Sequence, residues 1–251
     1  MRVAATIITT TITDMSMTMT DAASSQDVLR LAAWLSPSFP VGAYTYSSGL
    51  EYAVEAGIVT DAASLEEWIT GIVQLGAGRS EGGLFVLAYQ AAQRGDIQKL
   101  GNVIEWADAL RPTSELALES VRQGDAFLKM VRAAWPHPGL DALYDMARES
   151  GRKPAYAVVV GAACGYHGVT LEPALAAFLH AVAANLVSAA VRSIPLGQTD
   201  GQRVTAALEP VIAEIVPNLL QVTLDDIGAA TPMVDWASMQ HETQYTRLFR
   251  S

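Results

Sequence analysis

The stretch "PAYAVVVGAACGYHGVTLEPALAAFLHAVAANLVSAAV", residues Pro154–Val191, contains one charged side chain, that of Glu172. Alanine and glycine dominate it over leucine, and proline, histidine, asparagine and serine interrupt it. A membrane-spanning helix needs about 20 consecutive, predominantly apolar residues. Two buried helices therefore suit this stretch better than two membrane spans, and it predicts a helical protein with an apolar core.

Helical periodicity extends along most of the chain outside this stretch. Residues 24–35 place their apolar side chains on one helical face. Ser64 stands three residues before Glu67, the spacing of a capping box, and Gly95 suits a helix C-cap. Pro210 is expected to begin a new helix, and residues 223–251 to be irregular. Alternation typical of a strand is confined to residues 6–13 and 156–160.

These patterns predict an all-α, single-domain bundle of about ten helices with flexible N- and C-terminal segments. Residues 1–24 are interpreted as a disordered, threonine-rich leader, and residues 25–228 as the helical domain. Residues 229–251 are interpreted as a flexible tail. Disordered tails usually lack side chains such as Trp236, Tyr245 and Phe249, so we expect this tail to bind a partner.

Charge and cysteine content narrow the class of protein. The chain of 251 residues has a formal net charge of -10, which argues against nucleic-acid binding, because that function uses a basic surface against phosphates. A basic partner or a cation suits an acidic chain better. The one cysteine, Cys164, permits no intramolecular disulfide and is expected to be a small buried side chain. We expect a cytoplasmic protein that binds neither nucleic acid nor membrane.

Common catalytic motifs do not occur in the sequence. The P-loop pattern is missing, and "GAGRSEGG" places its third glycine, Gly82, one position too late for a dinucleotide site. "HETQY" has Tyr245 where a zinc protease needs its second histidine. "YSSGL" is not a nucleophile elbow, because Thr45 stands two residues before Ser47. The sequence therefore predicts no catalytic residue, no metal site and no cofactor.

Three segments are more polar and glycine-rich than helix packing requires. The first is "PSFPVGAYTYSSGLE", Pro37–Glu51. The second is "VRSIPLGQTDGQR", Val191–Arg203, predicted to be a loop in which Thr199 or Asp200 caps the next helix. The third is the end of the tail, which combines aromatic residues with arginine, the types enriched at interaction hot spots.

Four stretches in chain order resemble the UreF family of urease accessory proteins, and together with the residues between them they cover nearly the whole chain after about Asp27. The combination is specific, whereas the threonine-rich leader lies outside the family pattern. The stretches are "WLSPSFPVGAYTYSSGLEYAVEAGIV" (Trp34–Val59), "TSELALESVRQG" (Thr113–Gly124), "NLVSAAVRSIPLGQTDGQRV" (Asn185–Val204) and "HETQYTRLFRS" (His241–Ser251).

The resemblance implies an all-α, ten-helix dimer without known catalytic activity. It implies binding to UreD, also called UreH, and then to the GTPase UreG, in an assembly that helps to deliver nickel to apo-urease. In that family the C-terminal tail becomes ordered on UreD, and a water-filled nickel passage through UreF and UreD has been proposed. The absence of a His/Cys cluster in this sequence suits a conduit or scaffold better than a metal store.

With this resemblance, the first polar segment is predicted to be an interaction or passage-lining loop. Its aromatic residues would supply contact area, although core packing is an equal alternative for Tyr44 and Tyr46. Gly42 and Gly49 are expected to have positive φ angles.

Hydroxyl and carboxylate oxygens in the same segment could line a path for a hydrated cation, which they bind weakly enough to release. The predicted passage residues are Ser47, Ser48 and Glu51. Glu51 could equally be a first-turn charge at a helix N-terminus. We expect the partner-binding residues to be Phe39, Tyr44, Tyr46, Arg192, Gln198, Asp200, Gln202, Arg203, Tyr245, Arg247, Phe249 and Arg250.

Two alternatives to a scaffold remain open from the sequence. The chain could regulate the partner GTPase, with Arg192, Arg203 or Arg250 reaching the nucleotide as an arginine finger. Less probable is a small-molecule enzyme that uses Glu51 with Tyr46.

Overall fold

The computed structural model describes residues 23–251, which form eleven α-helices and two short 3-10 turns and contain no β-strand. The all-α prediction is confirmed, and the helices share one hydrophobic core. The helices are α1 Ser25–Trp34, α2 Leu50–Glu55, α3 Ala62–Leu75, α4 Ala77–Gln93, α5 Ile97–Ala109, α6 Ser114–Ala134, α7 Pro138–Ser150, α8 Tyr156–Tyr166, α9 Leu171–Ser193, α10 Gln198–Leu219 and α11 Pro232–His241; the 3-10 turns are Ala43–Thr45 and Leu224–Asp226.

Helix α8 is buried along Ala157–Gly165, and its small residues let it lie directly against α4. A Cβ atom added at Gly161 would lie 2.3 Å from the carbonyl oxygen of Phe85. One added at Gly165 would lie 2.5 Å from the carbonyl oxygen of Tyr89. Glycine alone allows two backbones to approach this closely. The α4–α8 contact is therefore a seam of backbone against backbone at the centre of the core.

Helix α9 completes the apolar stretch and also belongs to the core. Among the described helices it is the one long and apolar enough to cross a bilayer, but 50% of its most apolar window is buried inside the protein. Its Phe178 packs against Phe85 of α4, with ring centroids 5.1 Å apart. These contacts place one side of α9 in the helical core. The thiol of Cys164 in α8 is buried, as predicted.

The N-terminus of α3 differs from the predicted capping box. The helix begins at Ala62, and Asp61 is its N-cap. The backbone N–H of Ser64 donates to Asp61 Oδ1 at 2.9 Å, and the N–H of Asp61 donates to Ser64 Oγ at 3.1 Å. Ser64 is thus the third helical residue of the box and not its cap, because Asp61 supplies a preferred capping acceptor before it.

Helix α10 continues through Pro210, where the sequence predicts a restart. A proline inside a helix removes one backbone hydrogen bond. The buried face of the helix nevertheless crosses the proline without interruption, and tertiary packing of such a face is the main source of helix stability in proteins. Its buried residues at four-residue spacing are Val204, Leu208, Ile212 and Val216.

Helix α11 occupies residues that were predicted to be irregular. It has Pro232 at its first position, a favourable place for proline, and it packs against α2 and α6. Its buried positions include the polar residues Ser238 and His241, whereas Trp236 and Met239 are exposed. An apolar stripe is therefore missing from its sequence. Of the two strand-like runs, residues 156–160 begin α8 and residues 6–13 lie outside the described part of the chain.

Candidate partner-binding surface

The tail segment, residues 242–251, follows α11 and lies against the polar loop, residues 37–51. The N–H of Arg250 donates to the carbonyl oxygen of Thr45 at 2.8 Å, and the N–H of Ser47 donates to the main-chain oxygen of Ser251 at 2.8 Å. The Ser47 hydroxyl donates to the same Ser251 oxygen. The polar loop and the tail segment are therefore joined through their backbones.

Two glycines give the polar loop its course. Gly42 has a φ of +74° and Gly49 a φ of +81°, which confirms the predicted positive angles. A Cβ atom at Gly49 would lie 2.7 Å from the backbone nitrogen of Ser238 in α11. Gly49 thus provides both a left-handed turn and a close approach, and it places the first turn of α2 beneath the tail segment.

Glu51 in this first turn holds the tail segment by its backbone. Its Oε1 accepts the N–H of Leu248 at 2.6 Å, and its Oε2 accepts the N–H of Phe249 at 2.9 Å. The Glu51 side chain is 12% exposed. Hydrogen bonds to an ionised carboxylate are shorter and stronger than those between neutral groups, so Glu51 is a strong acceptor for two consecutive amides.

His241, at the end of α11, lies between two carboxylates and is fully buried. Its Nδ1 is 2.7 Å from Oε2 of Glu115, and its Nε2 is 3.1 Å from Oε2 of Glu51. Arg247 of the tail segment also contacts this group, with its guanidinium 2.9 Å from Oε1 of Glu115. These contacts therefore join α2, α6, α11 and the tail segment.

Glu119, one turn beyond Glu115 on α6, receives the end of the tail segment. Its Oε2 accepts the Ser251 hydroxyl at 2.7 Å and the Ser48 hydroxyl at 3.2 Å, and its Oε1 accepts Nε2 of Gln123 at 3.1 Å. Burial raises the pKa of Glu119, and these three hydrogen bonds oppose the rise. The carboxylate is thus satisfied by donors from α6, the polar loop and the tail segment.

Arg192 and Phe249 form an aromatic contact at the same place. The Arg192 guanidinium donates to the carbonyl oxygen of Tyr44 at 2.7 Å and lies 4.5 Å from the centroid of the Phe249 ring. The Phe249 side chain is buried beneath it. A guanidinium over a ring face is attractive by about 0.5–1 kcal/mol at an exposed site. The contact therefore holds Phe249 of the tail segment against the end of α9.

The outward side of this assembly is a surface of large side chains, which we call the tail surface: Tyr44, Tyr245 and Leu248. Tyr44 is 66% exposed, Leu248 is 65% exposed, and Tyr245 is fully exposed. The side chain of Arg247 is partly exposed, and Arg250, three residues later, is an exposed residue. This combination of aromatic, aliphatic and arginine side chains is typical of an interaction surface.

Two predicted partner-binding residues of the polar loop are buried in the structure, as is Phe249 of the tail segment. Phe39 packs against Phe127 of α6 with ring centroids 5.0 Å apart, and Tyr46 is 4% exposed. Their aromatic rings are drawn inward because burial of large apolar area stabilises the core. In this conformation the side chains of Phe39 and Tyr46 are not accessible to a partner, whereas that of Tyr44 is exposed.

The second polar segment is partly a helix and not a loop. Gly197 is the N-cap of α10, and the residues from Gln198 onward are helical, so neither Thr199 nor Asp200 caps it. Asp200 instead pairs with Arg203 at 2.9 Å within the first turn. Gln198, Gln202 and Arg203 are exposed, and no described hydrogen bond joins them to the tail segment. They form a separate polar area.

A cleft of about 1220 Å³ lies beside Glu119, and Ser48, Glu81 and Arg111 also line it. Burial and the charge of Glu119 raise the pKa of Glu81 to about 7, and Arg111 opposes the rise. Of the three residues predicted to line a passage, Ser48 alone lines this cleft. Ser47 is bonded to Ser251, and Glu51 is covered by the tail segment.

Sequence analysis missed three residues of this arrangement: Glu115, Glu119 and His241. The two glutamates are four residues apart, a spacing that puts them on one helix face and was the available signal. His241 carries no local signal, because its two acceptors are 126 and 190 residues away in the chain. Within residues 23–251, no group of three or more His, Cys, Asp and Glu side chains is arranged to hold a metal ion.

Comparison with known proteins agrees with these observations. A sequence profile of the UreF family matches residues 59–209. A protein of Azorhizobium caulinodans named "Urease accessory protein UreF" is 51% identical, over 94% of this chain and 100% of that protein. Proteins of the same name from Rhodopseudomonas palustris strain BisB5 and Magnetococcus marinus are each 50% identical, over 92% and 89% of this chain and 93% and 97% of their own lengths. These proteins are named as accessory proteins and not as enzymes, and the chain belongs to the UreF family of urease accessory proteins.

Proposed function

We propose that this chain is a non-enzymatic scaffold in urease maturation, which binds UreD (UreH) through the tail surface and then recruits the GTPase UreG for nickel insertion into apo-urease. Family membership supports the maturation role. The tail surface supports the choice of binding site.

The observation that carries the proposal is the exposure of Tyr44, Tyr245 and Leu248 above a segment that is held from below. Large apolar side chains at 65% exposure or more gain free energy when a partner covers them. Because the tail segment is bonded to α2 and α6, Tyr245 and Leu248 are presented with limited loss of backbone conformational entropy on binding. An aromatic and arginine-rich patch of this kind suits a stable protein contact.

The polar groups of the site support a scaffold for a different reason. Glu51, Glu115, Glu119 and His241 each have hydrogen-bond partners from the chain itself, and their contacts hold the tail segment in place. A general base or a nucleophile must instead face a substrate. We therefore assign these polar and charged residues a structural role, in which they keep the tail surface in its conformation.

The cleft beside Glu119 extends the proposal to nickel. Oxygen ligands from Ser48, Glu81 and Glu119 line its wall, and hard oxygen groups bind a borderline cation weakly enough to let it pass. We further propose that the chain works as a homodimer in the cytoplasm, as the family resemblance implies.

Co-purification with UreD and UreG, with mass read by light scattering, tests the proposal. The double variant Tyr245→Ala, Leu248→Ala should bind UreD at least about tenfold more weakly, because truncation of hot-spot side chains costs on the order of 2 kcal/mol. A chain cut after Glu242 should lose the complex and keep its helicity. The cut is placed there because α11 buries Ala237, Ser238 and His241 and belongs to the core.

Met130→Ala is the matched control, since Met130 is also an exposed apolar residue, at 39%, but lies far along α6. It should bind UreD like the unaltered chain. Failure of the unaltered chain to bind UreD, or equal binding by the double variant, would contradict the proposal.

A further inference from the structure

We infer that Arg111 is the residue that prevents tight cation binding in the cleft beside Glu119: its guanidinium offsets the carboxylates of Glu81 and Glu119, so that a divalent cation binds weakly and leaves again. The inference concerns the nickel route of the proposed function and rests on that proposal. Its main test needs only this chain and nickel.

The two carboxyl groups on the cleft wall differ in their surroundings. Glu119 accepts hydrogen bonds from Ser48, Gln123 and Ser251. Within residues 23–251, the carboxyl group of Glu81 has no hydrogen-bond partner, so its oxygens are available to a ligand in the cleft. For a given set of ligands, Ni²⁺ binds more tightly than Mn²⁺, Fe²⁺ or Co²⁺. Without an opposing charge, the two carboxylates would therefore retain nickel.

Arg111 lies on the connection between α5 and α6 and lines the same cleft. Its side chain is 12% exposed, and its Nη1 is 3.3 Å from Oδ1 of Asp108. Its Nη2 is buried and has no hydrogen-bond partner in the described part of the chain. A buried donor without an acceptor costs free energy, more so when it belongs to a charged group. The position of this guanidinium therefore needs an explanation other than stability.

The charge of Arg111 acts on the carboxylates of the cleft. Burial lowers the pKa of Arg111, and the charges of Asp108 and Glu81 oppose the fall. Arginine nevertheless stays protonated in proteins, so the cleft wall carries a permanent positive charge. Like charges in a partly buried site repel each other with little screening by salt. Arg111 therefore lowers the affinity of the cleft for any cation that reaches Glu81.

Arg152 is a matched arginine outside the cleft. Its Nη1 is 2.9 Å from Oδ2 of Asp108, and its side chain is 41% exposed. Both arginines thus pair with the same carboxylate, but of the two only Arg111 lines the cleft. Because water and salt screen an exposed charge, Arg152 should have little influence on a cation in the cleft.

Equilibrium dialysis of the full chain against Ni²⁺ at pH 7, with bound nickel measured by atomic absorption, tests the inference. Arg111→Met removes the charge and keeps a long side chain, and it should bind nickel at least about tenfold more tightly than the unaltered chain. Arg111→Lys keeps the charge, and Arg152→Met removes a charge outside the cleft, so both should bind nickel like the unaltered chain. Equal nickel affinity of Arg111→Met and the unaltered chain would overturn the inference.

Double variants show where the additional nickel affinity arises. Glu81→Gln combined with Arg111→Met should abolish the gain, whereas the exposed Glu66→Gln combined with Arg111→Met should keep it. A gain that persists without Glu81 would place the cation elsewhere and overturn the inference. If Arg111→Met fails to fold, Arg111→Gln removes the same charge, keeps a polar group beside Asp108, and should show the same gain.

Nickel transfer tests the consequence for the proposed function. In the presence of UreD, UreG and apo-urease, Arg111→Met should activate urease more slowly than the unaltered chain, because it releases nickel more slowly. If the unaltered chain activates urease and Arg111→Met does so equally fast, the role of Arg111 in nickel release is wrong. If the unaltered chain does not activate urease at all, the proposed function fails, and the dialysis alone decides whether Arg111 weakens cation binding.

Discussion

The α4–α8 seam and the site that holds the tail segment, formed by Glu51, Glu115 and His241 and here called the seat, bring chain segments together in two opposite ways. At the seam, Gly161 and Gly165 let backbones touch, and apolar side chains fill the space around them. At the tail segment, Glu51 and Glu115 hold a buried histidine and backbone amides. The seam depends on glycines, which leave room for two backbones, whereas the seat depends on hydrogen bonds to carboxylates.

This difference explains why the two regions should respond differently to change. A close-packed interior cannot absorb an added methyl group without strain. A charged seat can accept added volume at its exposed side but cannot lose one member of a pair, because the other is left buried without a partner. The first region gives the fold its rigidity, and the second holds a segment whose outer side chains, Tyr245 and Leu248, are exposed.

The largest effect is expected at the seam. Gly161→Ala places a Cβ atom 2.3 Å from the Phe85 carbonyl oxygen, which is backbone and cannot rotate away. We expect the free energy of unfolding to fall by more than about 3 kcal/mol. Denaturation by urea measures the change. Gly71→Ala is the control, because Gly71 also lies in a helix with nothing within 4 Å of its added Cβ, and should be neutral or slightly stabilising. Equal stability of both variants would break the comparison.

A smaller loss is expected when the seat loses its buried histidine. His241→Leu leaves Glu51 and Glu115 facing each other without the ring, and we expect a loss of about 2–3 kcal/mol in urea denaturation. His180→Leu makes the same substitution at an exposed histidine and should change stability by less than about 0.5 kcal/mol. An unchanged stability of His241→Leu would show that the hydrogen bonds of this histidine do not hold the seat.

The smallest effect on the free energy of unfolding is expected at Glu81, and it depends on pH. Folding raises the pKa of Glu81 from 4.5 to about 7, through burial and the charge of Glu119. The folded chain thus binds this proton more tightly than the unfolded chain, so the free energy of unfolding declines as the pH rises from about 4.5 to about 7.

Glu81→Gln should lessen that decline by about 1–2 kcal/mol, and should stabilise the protein above pH 7. Unfolding by urea at pH 5, 6, 7 and 8 measures it, with the exposed Glu66→Gln as control. The same decline in both variants would show that Glu81 is not the group responsible.

The sequence predicted the seam better than the seat for a physical reason. Burial of Pro154–Val191 follows from composition, since a long run with one charge must be removed from water. The positive φ angles of Gly42 and Gly49 follow from local backbone sterics. Pro210 was misjudged because a continuous apolar face outweighed one lost hydrogen bond.

Residue by residue, the candidate site was less predictable. Tyr44, Tyr245 and Glu51 were singled out from segments with unusual composition. Phe39 and Tyr46 share that composition and are nevertheless buried, because the direction of an aromatic side chain in a loop depends on the surrounding fold. Arg192 was expected to bind a partner, which stays a prediction, and the sequence did not indicate that its guanidinium lies over the Phe249 ring.

By itself, the sequence determined that this is an all-α protein with an apolar helical core, and its motifs placed it in the UreF family. Hydrophobic burial and helix periodicity act over a few residues, so they can be recognised locally. Only the tertiary structure decided that Glu51, Glu115 and His241 meet. His241 is 126 residues from Glu115 and 190 from Glu51 in the chain, and the two glutamates lie on different helices. Hydrogen bonds between residues distant in the chain leave no trace in local sequence, and it is these bonds that hold the tail segment against the polar loop.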